Sequence, residues 1–502
     1  MAETGTRPNI LFCISDDQSY PHAGAYGCAW VETPAFDRVA RDGILFSNAF
    51  TPNAKCAPSR AAILTGRYSW QLGEACNHFC NFPAEHPVFT ETLRDAGYFV
   101  GYTGKGWAPG NPGKNPDGTP RQLTGKGFQK HKLKPPTTGI APTDYAKNFA
   151  AFLDERPADT PFFFWYGGKE PHRNYQFRSG IEVGGKSPEQ IDAVPPYWPD
   201  CEDVKADMLD YAFEIEWFDK HLGAMLDMLE TRGLLENTLV LVTSDNGMPF
   251  PRIKAQQYEY SYHEPMAAMW PARIKPGRTV EDLVSFIDLA PTFLELAGLP
   301  LDPEISGRSL RDILESDDSG LVDRDRTVLF SGKERHDIGR PGNVGYPIRA
   351  IRNQQYLYLR NYEPDRWPAG DPETFYRAID DSPTKTLLVE EMEKGNDSYW
   401  KLCMGRRPEE ELYDIRNDPH CIENLAAQRP FAGLKKELRE ELEAALSHQG
   451  DPRMHGEGAV FDHYEYTNER EVALVAKMWK KVRANGGKLC FKSRSPRELR
   501  VE

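Results

Sequence analysis

The sequence lacks long apolar runs, and no stretch reaches the ~18 consecutive apolar residues that a membrane-spanning helix needs. We therefore predict no membrane span. The N-terminal residues MAETGTRPN also lack the apolar core of a signal peptide. The native compartment is unknown from this chain, and a periplasmic or secreted location is expected if a signal peptide has been removed.

Positive charge is also scarce, since 61 Lys and Arg residues face 75 Asp and Glu residues and the net charge is −14. This balance argues against a nucleic-acid partner, because nucleic-acid binding needs a basic surface. It does not exclude an anionic substrate, which a local cationic pocket can bind. The nine cysteines are sparse and include no C-x-x-C pair, so at least one thiol is free or otherwise used.

What is present is an alternation of short apolar segments with helical patterns. Strands are predicted at residues 9–15, 98–104, 161–168 and 238–244, and helices at 34–43, 89–97, 205–232 and 285–298. This order is typical of an α/β fold with a large, mostly parallel sheet flanked by helices.

The pattern changes near residue 335. Residues 348–362 alternate like antiparallel strands, and a helix is predicted near 432–446. We therefore predict a catalytic α/β domain at 1–335 and a smaller C-terminal α+β domain with an antiparallel sheet at 336–502. Residues 110–136, rich in Gly, Pro and Lys, are expected to form a long surface loop.

Acidic residues directly follow two of the predicted strands. Asp16 and Asp17 come after the strand at 9–15, and Asp245 and Asn246 come after the strand at 238–244. In parallel sheets, ligands bind beyond the carboxyl ends of the strands. Carboxylate and amide oxygens suit Ca²⁺ or Mg²⁺ better than Zn²⁺. The alternative is a pair of surface turns, in which such residues are common.

Cys56 stands out within the segment KCAPSRAAILTGRY, residues 55–68. Pro58 suits the first turn of a helix that continues to Gly66, so Cys56 lies at or just before a helix N-terminus. The free N–H groups there stabilise an anion, and Arg60 lies one turn along on the same side. The alternative is a buried cysteine that acts as a small apolar residue.

Together these segments resemble a known family. The string CAPSR at 56–60, followed by LTG at 64–66, is similar to the C-x-P-S-R-x-x-x-L-T-G signature of the type I sulfatases, which belong to the alkaline phosphatase superfamily. The acidic strand ends, the GK pair at 104–105 and the PH pair at 171–172 match further elements of that family. The strings SDNGMPFP, KEPHRNY, ACNHF and YPIRAIRN most resemble its heparan N-sulfatase (sulfamidase) group.

The resemblance implies a sulfohydrolase whose signature cysteine, here Cys56, is oxidised to formylglycine by a formylglycine-generating enzyme. The aldehyde hydrates to a gem-diol; one hydroxyl attacks sulfur, and the other then allows the carbonyl to re-form as sulfate leaves. The resemblance implies Ca²⁺ as the metal, in preference to Mg²⁺. The implied roles are metal ligation by Asp16, Asp17, Asp245, Asn246 and modified Cys56, bracing of the diol by Arg60, binding of the sulfate oxygens by Lys105 and Lys254, and protonation of the leaving group by His172.

One position departs from the family pattern. A histidine usually stands two residues after the lysine of the GK element, and Trp107 stands there in this chain. Tryptophan cannot accept a proton, so another residue is expected to act as the base, with His78 and His263 as candidates. The expected contacts to a sugar substrate are His78, Trp107, His263, Arg335 and His336.

The function expected on these grounds is hydrolysis of sulfate from a sulfated carbohydrate, with N-sulfated or O-sulfated glucosamine or another sulfated sugar as the substrate. Two alternatives stay open. Relatives of this fold use the same aldehyde on phosphonate monoesters and phosphodiesters, and a chain with unmodified Cys56 would be a sugar-binding pseudoenzyme. The oligomeric state is also left open.

Overall fold

The computed structural model describes residues 7–486 of the chain. In chain order its strands are β1 (Asn9–Ser15), β2 (Ile44–Phe50), β3 (Cys80–Asn81), β4 (Phe99–Gly104), β5 (Gly110–Asn111), β6 (Lys126–Gly127), β7 (Phe162–Gly167), β8 (Thr238–Ser244), β9 (His263–Met269), β10 (Arg278–Val280), β11 (Val284–Ser285), β12 (Leu329–Lys333), β13 (Ile348–Arg352), β14 (Tyr356–Asn361) and β15 (Glu410–Asp414). The α-helices are α1 (Pro34–Arg41), α2 (Cys56–Thr65), α3 (Phe89–Asp95), α4 (Tyr145–Glu155), α5 (Ser179–Glu182), α6 (Glu202–Thr231), α7 (Glu259–Tyr262), α8 (Leu289–Leu296), α9 (Arg311–Glu315), α10 (Pro383–Glu393), α11 (Ser398–Met404), α12 (Ala432–His448), α13 (Val460–His463) and α14 (Glu469–Ala484).

Nine strands form one large sheet with the order β10-β2-β9-β8-β1-β7-β4-β6, and β11 also pairs with β2. The pairings are parallel except for those of β9 with β2 and β8. The prediction of an α/β fold with a large, mostly parallel sheet is therefore confirmed. The predicted strands β1 and β8 have the expected bounds, β4 begins one residue later than predicted, and β7 is one residue shorter at each end.

The central strands are buried on both faces, so their side chains alternate between two cores. On β1, Ile10, Phe12 and Ile14 belong to the core that also contains residues of α2, α3 and α8. Leu11 and Cys13 belong to the opposite core, with residues of α1, α4 and α6. This covering of both faces explains why β1 is apolar along its length rather than alternating with polar residues.

The start of α8 differs from the prediction, and the start of α1, at Pro34 as predicted, is stabilised by another helix. The segment predicted as one helix at 285–298 begins with a 3₁₀ turn at Phe286–Asp288, and α8 follows it with a proline as its third residue. Thr33 precedes α1, but its side chain makes no cap hydrogen bond. Asp219 of α6 satisfies this helix end instead, because its carboxylate accepts the N–H groups of Ala35 and Phe36 at 2.9 and 2.7 Å.

The second sheet is antiparallel, with the order β12-β13-β14-β15. One face packs on α12, where Leu438 belongs to the same core as Ile351. The other face packs on residues of the large sheet and of the segment after β8, where Ala350 shares a core with Phe50 and Tyr262. This confirms the predicted antiparallel sheet. The sheet begins at Leu329, and the division of the chain at 335/336 stays a prediction.

Three further predictions concern membrane spans, cysteines and the long loop at 110–136. Within residues 7–486 we find no helix with the length and apolar character needed to cross a bilayer. The eight cysteines of this range are all free, Cys76 and Cys80 included. The segment predicted as a long surface loop holds only the two short strands β5 and β6.

Candidate active site

The polar residues that follow β1 and β8 meet at one edge of the large sheet, because the two strands are adjacent and parallel. The Asp17 N–H donates to Asp245 Oδ1 at 3.0 Å, and Asn246 Nδ2 donates to Asp17 Oδ1 at 2.8 Å. Together with Asp16, these residues are at most 2% exposed. The structure therefore brings the four residues predicted as metal ligands into one buried cluster.

Cys56 is the first residue of α2 and lies against this cluster. Its Sγ is 3.8 Å from Asp17 Oδ1, and ligand atoms of Asp16, Asp17 and Cys56 all lie within 4.8 Å of one another. Burial raises the pKa of the Cys56 thiol, although Lys105 opposes the shift. A protonated thiol is a weak nucleophile, so the environment does not suit catalysis by the cysteine itself.

Arg60 lies one turn along α2 and is fully buried. Its Nε donates to Asp245 Oδ2 at 2.8 Å, and its Nη1 donates to the carbonyl oxygens of Lys105 and Gly106 at 2.9 and 3.0 Å. A guanidinium fixes several acceptors at once because its donors lie in one rigid plane. Arg60 therefore ties the first turns of α2 to the ends of β8 and β4.

Two lysines pair with the acidic cluster. Lys105 Nζ donates to both carboxylate oxygens of Asp16 at 2.7 Å. Lys254 Nζ lies 2.5 Å from Asp17 Oδ2 and 3.1 Å from Asp380 Oδ2. Burial alone would raise the pKa of Asp16, but the charge of Lys105, with smaller contributions from His172 and Arg60, places it well below its usual value. Asp16 is therefore ionised at neutral pH, and two cations stand beside the reacting position.

His172 approaches the cluster from the loop after β7. Its Nε2 is 3.8 Å from Asp17 Oδ2, and its side chain is 35% exposed. It is therefore the histidine that combines proximity to the acidic cluster with access to solvent, as a proton donor to a departing group requires.

Arg173, the next residue, holds this loop in place. Its two terminal nitrogens donate to the Asp207 carboxylate at 2.7 and 3.0 Å, and its Nε donates to the Pro249 carbonyl at 2.8 Å. The guanidinium also lies 4.5 Å from the ring centre of Tyr175 and 4.4 Å from that of Phe250. These contacts fix the backbone that carries His172.

The acidic cluster fits a hard divalent cation. Asn246 Oδ1 is buried and has no hydrogen-bond partner among residues 7–486, so it is free to bind an ion. The carboxylates of Asp16, Asp17 and Asp245 have spare lone pairs beyond the hydrogen bonds that they accept. Oxygen donors of this kind suit Ca²⁺.

A cavity of about 600 Å³ opens above Cys56. Of the residues predicted from the sequence, it is lined by Asp16, Cys56, His78, Lys105 and His172. Its volume is large enough for a sugar-sized ligand. The site is therefore a deep pocket with the signature cysteine at its floor.

Four predicted substrate contacts do not line this cavity, and Trp107 is one of them. Its indole Nε1 donates to the Ala57 carbonyl at 3.1 Å, and its ring packs edge-on against Phe82. Trp107 therefore supports the first turn of α2 from the core, and the expectation that it stacks on a sugar is corrected. The ring is buried because it packs against Phe82, so it is not available to a sugar.

His263 is the second correction. Its Nδ1 contacts Glu259 Oε1 at 3.1 Å and its Nε2 contacts the Ser47 carbonyl at 2.9 Å, while its ring stacks on Tyr20. With both nitrogens engaged inside the fold, His263 is not placed to act as a base or to bind substrate. Of the two histidines predicted as substitutes for the missing one, only His78 lines the cavity.

Arg335 and His336 lie behind the cavity wall rather than on it. Arg335 donates to the Glu465 carbonyl at 3.0 Å, and His336 Nε2 contacts Asn53 Oδ1 at 2.7 Å. Both side chains are at least 97% buried. The structure therefore does not bring them to the substrate, and it places their neighbour Asp337 on the wall instead.

Sequence reasoning missed several residues of the cavity wall, namely Lys55, Asp337, Arg377, Asp380 and Glu471. Lys55 directly precedes Cys56, and its position alone could have marked it. The adjacent Asp380 and Asp381 could also have indicated a site, because neighbouring carboxylates repel each other unless cations balance them. The other residues lie far along the chain and give no local signal.

The chain matches two family profiles of known proteins. The family profile described as Sulfatase matches residues 8–299, and the profile described as N-sulphoglucosamine sulphohydrolase, C-terminal, matches residues 253–395. The chain belongs to the sulfatase family. It is therefore a hydrolase of the sulfuric ester or sulfamate class, and the resemblance to the sulfamidase group is confirmed.

Individual relatives agree with this assignment. This sulfatase is 29% identical to an ulvan-active sulfatase of Formosa agariphila, over 89% of this chain and 81% of that protein. It is 28% identical to the N-sulphoglucosamine sulphohydrolase of Homo sapiens, over 86% of this chain and 89% of that protein. The solved structure of BT4656 in complex with its substrate D-glucosamine-2-N,6-O-disulfate shares the fold, with a TM-score of 0.64, 22% identity and coverage of 89% of this chain and 98% of that one.

Proposed function

We propose that this sulfatase removes the sulfate group of a sulfated carbohydrate, with N-sulfated or O-sulfated glucosamine as the first candidates, after Cys56 has been converted to formylglycine. The observation that carries the proposal is the placement of Cys56. It lies at the N-terminus of α2, within 4.8 Å of two buried aspartates, at the floor of a sugar-sized cavity. The named activities of the two relatives support the choice of a sulfated sugar.

Two groups would complete the site. Formylglycine at position 56 supplies a hydrate with two hydroxyls on one carbon, and a Ca²⁺ ion supplies positive charge that stabilises a neighbouring oxyanion. The residues that would hold the ion are Asp16, Asp17, Asp245 and Asn246. Phosphonate hydrolysis, the alternative enzyme activity, would use the same groups.

The protein's own residues then orient the substrate and move a proton. Lys105 and Lys254 would bind the sulfate oxygens and balance the negative charge that develops on them. Arg60, locked by three hydrogen bonds, keeps the first turn of α2 fixed relative to these lysines. His172, which is partly exposed to the cavity, would donate a proton to the departing oxygen or nitrogen.

The direct test measures sulfate release by protein produced together with a formylglycine-generating enzyme. The substrates are an aryl sulfate and glucosamine carrying either an N-sulfate or a 6-O-sulfate, with an aryl phosphonate ester in parallel. We expect Cys56→Ala to lower sulfate release by about a thousandfold or more, as loss of a nucleophile does. Cys201→Ala is the matched control, because Cys201 is partly exposed at the start of α6 and lies outside the cavity.

Each other result has a defined meaning. Equal rates for the parent and Cys56→Ala would overturn the proposal. Faster turnover of the phosphonate than of every sulfate would favour the phosphonate hydrolase. Binding of sulfated sugar without turnover, by protein that keeps an unmodified thiol in its native source, would favour a sugar-binding pseudoenzyme.

A further inference from the structure

The two ends of the cavity carry opposite charge. At the floor, Lys105 and His172 line the cavity beside the reacting position, and Lys254 lies buried behind them against Asp17. The outer wall is built from the C-terminal part of the chain and carries four carboxylates, which are those of Asp337, Asp380, Asp381 and Glu471. A ligand in this cavity therefore meets cations at one end and carboxylates at the other.

The wall carboxylates differ in how fully they are neutralised. Asp337 accepts from Lys55 Nζ at 2.6 Å, and Glu471 accepts from Arg377 at 2.8 Å. These pairs leave neither Lys55 nor Arg377 as an unpaired cation for a second anionic group. Among the described residues, the cations at this wall are therefore already paired, and the unpaired lysine that lines the cavity, Lys169, is an exposed side chain of the loop after β7.

Asp380 has a single ion-pair partner among the described residues. Burial would raise its pKa, but the charges of Lys254, Lys55 and His172 together hold that pKa below the usual value. Its ion pair is with Lys254 at 3.1 Å, and Lys254 also pairs with Asp17 at 2.5 Å. One cation is therefore shared by two carboxylates. The Asp380 side chain is 23% exposed, so negative charge remains available to a ligand. Asp381 is 70% exposed and pairs with Lys385 at 2.8 Å, so solvent screens its charge.

His78 adds an independent observation on the same wall. Its Nδ1 lies 2.8 Å from Asp337 Oδ1, and a ring nitrogen beside a carboxylate carries the proton. Nε2 is then a hydrogen-bond acceptor, and it has no partner in the part of the chain that the structure describes. Burial lowers the pKa of His78 to about 4 despite Asp337. The ring is therefore neutral near pH 7 and adds no cation.

We propose that the sugar bound here carries a single negative group, the sulfate that is cleaved, and presents only hydroxyl or ammonium groups to the outer wall. This inference rests on the proposed function and narrows its substrate class. Hydroxyl and ammonium groups donate hydrogen bonds to carboxylates and to a neutral imidazole. A second sulfate or a carboxylate at this wall would instead lie against Asp380, where the neighbouring cations are already paired, so charge repulsion discriminates against it. Lys169, the unpaired lysine of the described cavity lining, is exposed, so solvent screens its charge.

The test measures binding by calorimetry with Cys56→Ala protein, which has no nucleophile and so keeps the ligands intact. The probes are N-sulfoglucosamine, glucosamine 6-O-sulfate and glucosamine-2-N,6-O-disulfate. We expect at least one monosulfated sugar to bind about tenfold more tightly than the disulfate, and Asp380→Asn to reduce that ratio about fivefold or more. Asp317→Asn, the same charge change at an 83% exposed surface position, is expected to leave the ratio unchanged.

Three results would overturn the inference: tightest binding of the disulfate, no binding of any of the three sugars, or an unchanged ratio in Asp380→Asn. If circular dichroism shows that Asp380→Asn does not fold, Asp381→Asn replaces it, with an expected reduction of about twofold because solvent screens its charge. Binding does not depend on the chemistry at Cys56. A binding order as expected, with no sulfate release by converted enzyme, would therefore reject the proposed function while leaving the charge preference intact.

Discussion

Trp107 stands where the resemblance to the sulfatase family implies a histidine, and its surroundings explain what it does there. The indole donates to the Ala57 carbonyl, one residue after Cys56, and the ring is 8% exposed. At a helix N-terminus the carbonyls already bond within the helix, so this contact adds a second donor to one of them. Trp107 thus stabilises the turn that carries Cys56 and does not reach the reacting atoms.

The variant Trp107→His tests this account at the residue scale. Because the position faces the core, we expect no gain in kcat, and we expect a loss of about 2–4 kcal/mol in the free energy of unfolding from the cavity left by the smaller ring. Steady-state kinetics and denaturant unfolding measure the two quantities. Trp107→Phe is the control, which keeps a ring and removes the hydrogen bond. A tenfold rise in kcat for Trp107→His would show that the position does reach the substrate.

Residues of the floor were predictable and residues of the wall were not. Asp16 and Asp245 each directly follow a predicted strand, so the fold class places both at the ligand-binding edge of the sheet, and the structure shows that their strands are neighbours. Asp337, in contrast, pairs with Lys55 across 282 positions of the chain. That contact depends on how the second sheet packs against the first, and no local pattern encodes it.

At the scale of elements, the loop after β7 is tied to two helices. Asp207 of α6 accepts both terminal nitrogens of Arg173 and also the hydroxyl of Thr384 on α10 at 2.6 Å. All three side chains are buried. A buried charge pair is costly to break because the remaining charge has no other partner. These contacts of Arg173, Asp207 and Thr384, which we call the Arg173 clamp, therefore hold His172 at a fixed distance from the floor of the cavity.

The substitution Asp207→Asn is expected to loosen this clamp. We expect kcat to fall about ten- to a hundredfold with a smaller change in KM, because misplacing a proton donor affects the reaction more than binding. The free energy of unfolding should fall by about 3–5 kcal/mol. Asp227→Asn, at a 76% exposed position of the same helix, is the control. An unchanged kcat in folded Asp207→Asn would show that the clamp stabilises the fold without positioning His172.

His221 gives the packing of α6 on α4 a pH dependence. Its ring packs edge-on against Tyr145 and is buried, and burial lowers its pKa to about 4. Below pH 6.5 the unfolded chain takes up a proton that the folded chain refuses, so stability falls on acidification. We expect the parent to lose about 2 kcal/mol more than His221→Phe between pH 7.5 and pH 5. Denaturant unfolding at the two pH values measures this, and equal losses would contradict it.

Elements whose apolar residues repeat with a clear period could be predicted from the sequence, whereas β9 could not. The stripe of apolar residues on α6 repeats at helical spacing and gave the helix to within three residues at each end. β9 reads HEPMAAM, and its Glu264 and Pro265 argue against a strand by local preference. It forms nevertheless, antiparallel between β2 and β8, because neighbours on both sides supply the pairing.

At the scale of the whole molecule, the cavity is lined both by residues that follow strands of the large sheet and by residues of the C-terminal part of the chain. Lys55 pairs with Asp337 and Lys254 with Asp380, so each of two buried lysines beside the cavity depends on a carboxylate from the C-terminal part. The second sheet also shares an apolar core with Phe50 and the residues after β8. The C-terminal part is therefore required for the charge balance of the cavity as well as for its shape.

A chain cut at the predicted boundary tests this dependence. The fragment 1–335 would keep β12 without its partner β13 and leave Lys55 and Lys254 without Asp337 and Asp380. We expect it to show no cooperative unfolding and no sulfate release, since the loss of Asp337 leaves the buried Lys55 unpaired at a cost of about 3–5 kcal/mol, and β12 loses its only strand partner among the described residues. Co-expression with fragment 336–502 is the control and should restore both. Cooperative unfolding and parental activity of 1–335 alone would contradict the account.

The central claim is that Cys56 is the precursor of the nucleophile, and the mass of its tryptic peptide tests it most directly. The measurement compares the converted fraction of that peptide with the rate of sulfate release in the same preparations. We predict a mass about 18 Da below that of the unmodified peptide and a rate proportional to the converted fraction. Full turnover by protein whose Cys56 is an intact thiol would contradict the claim.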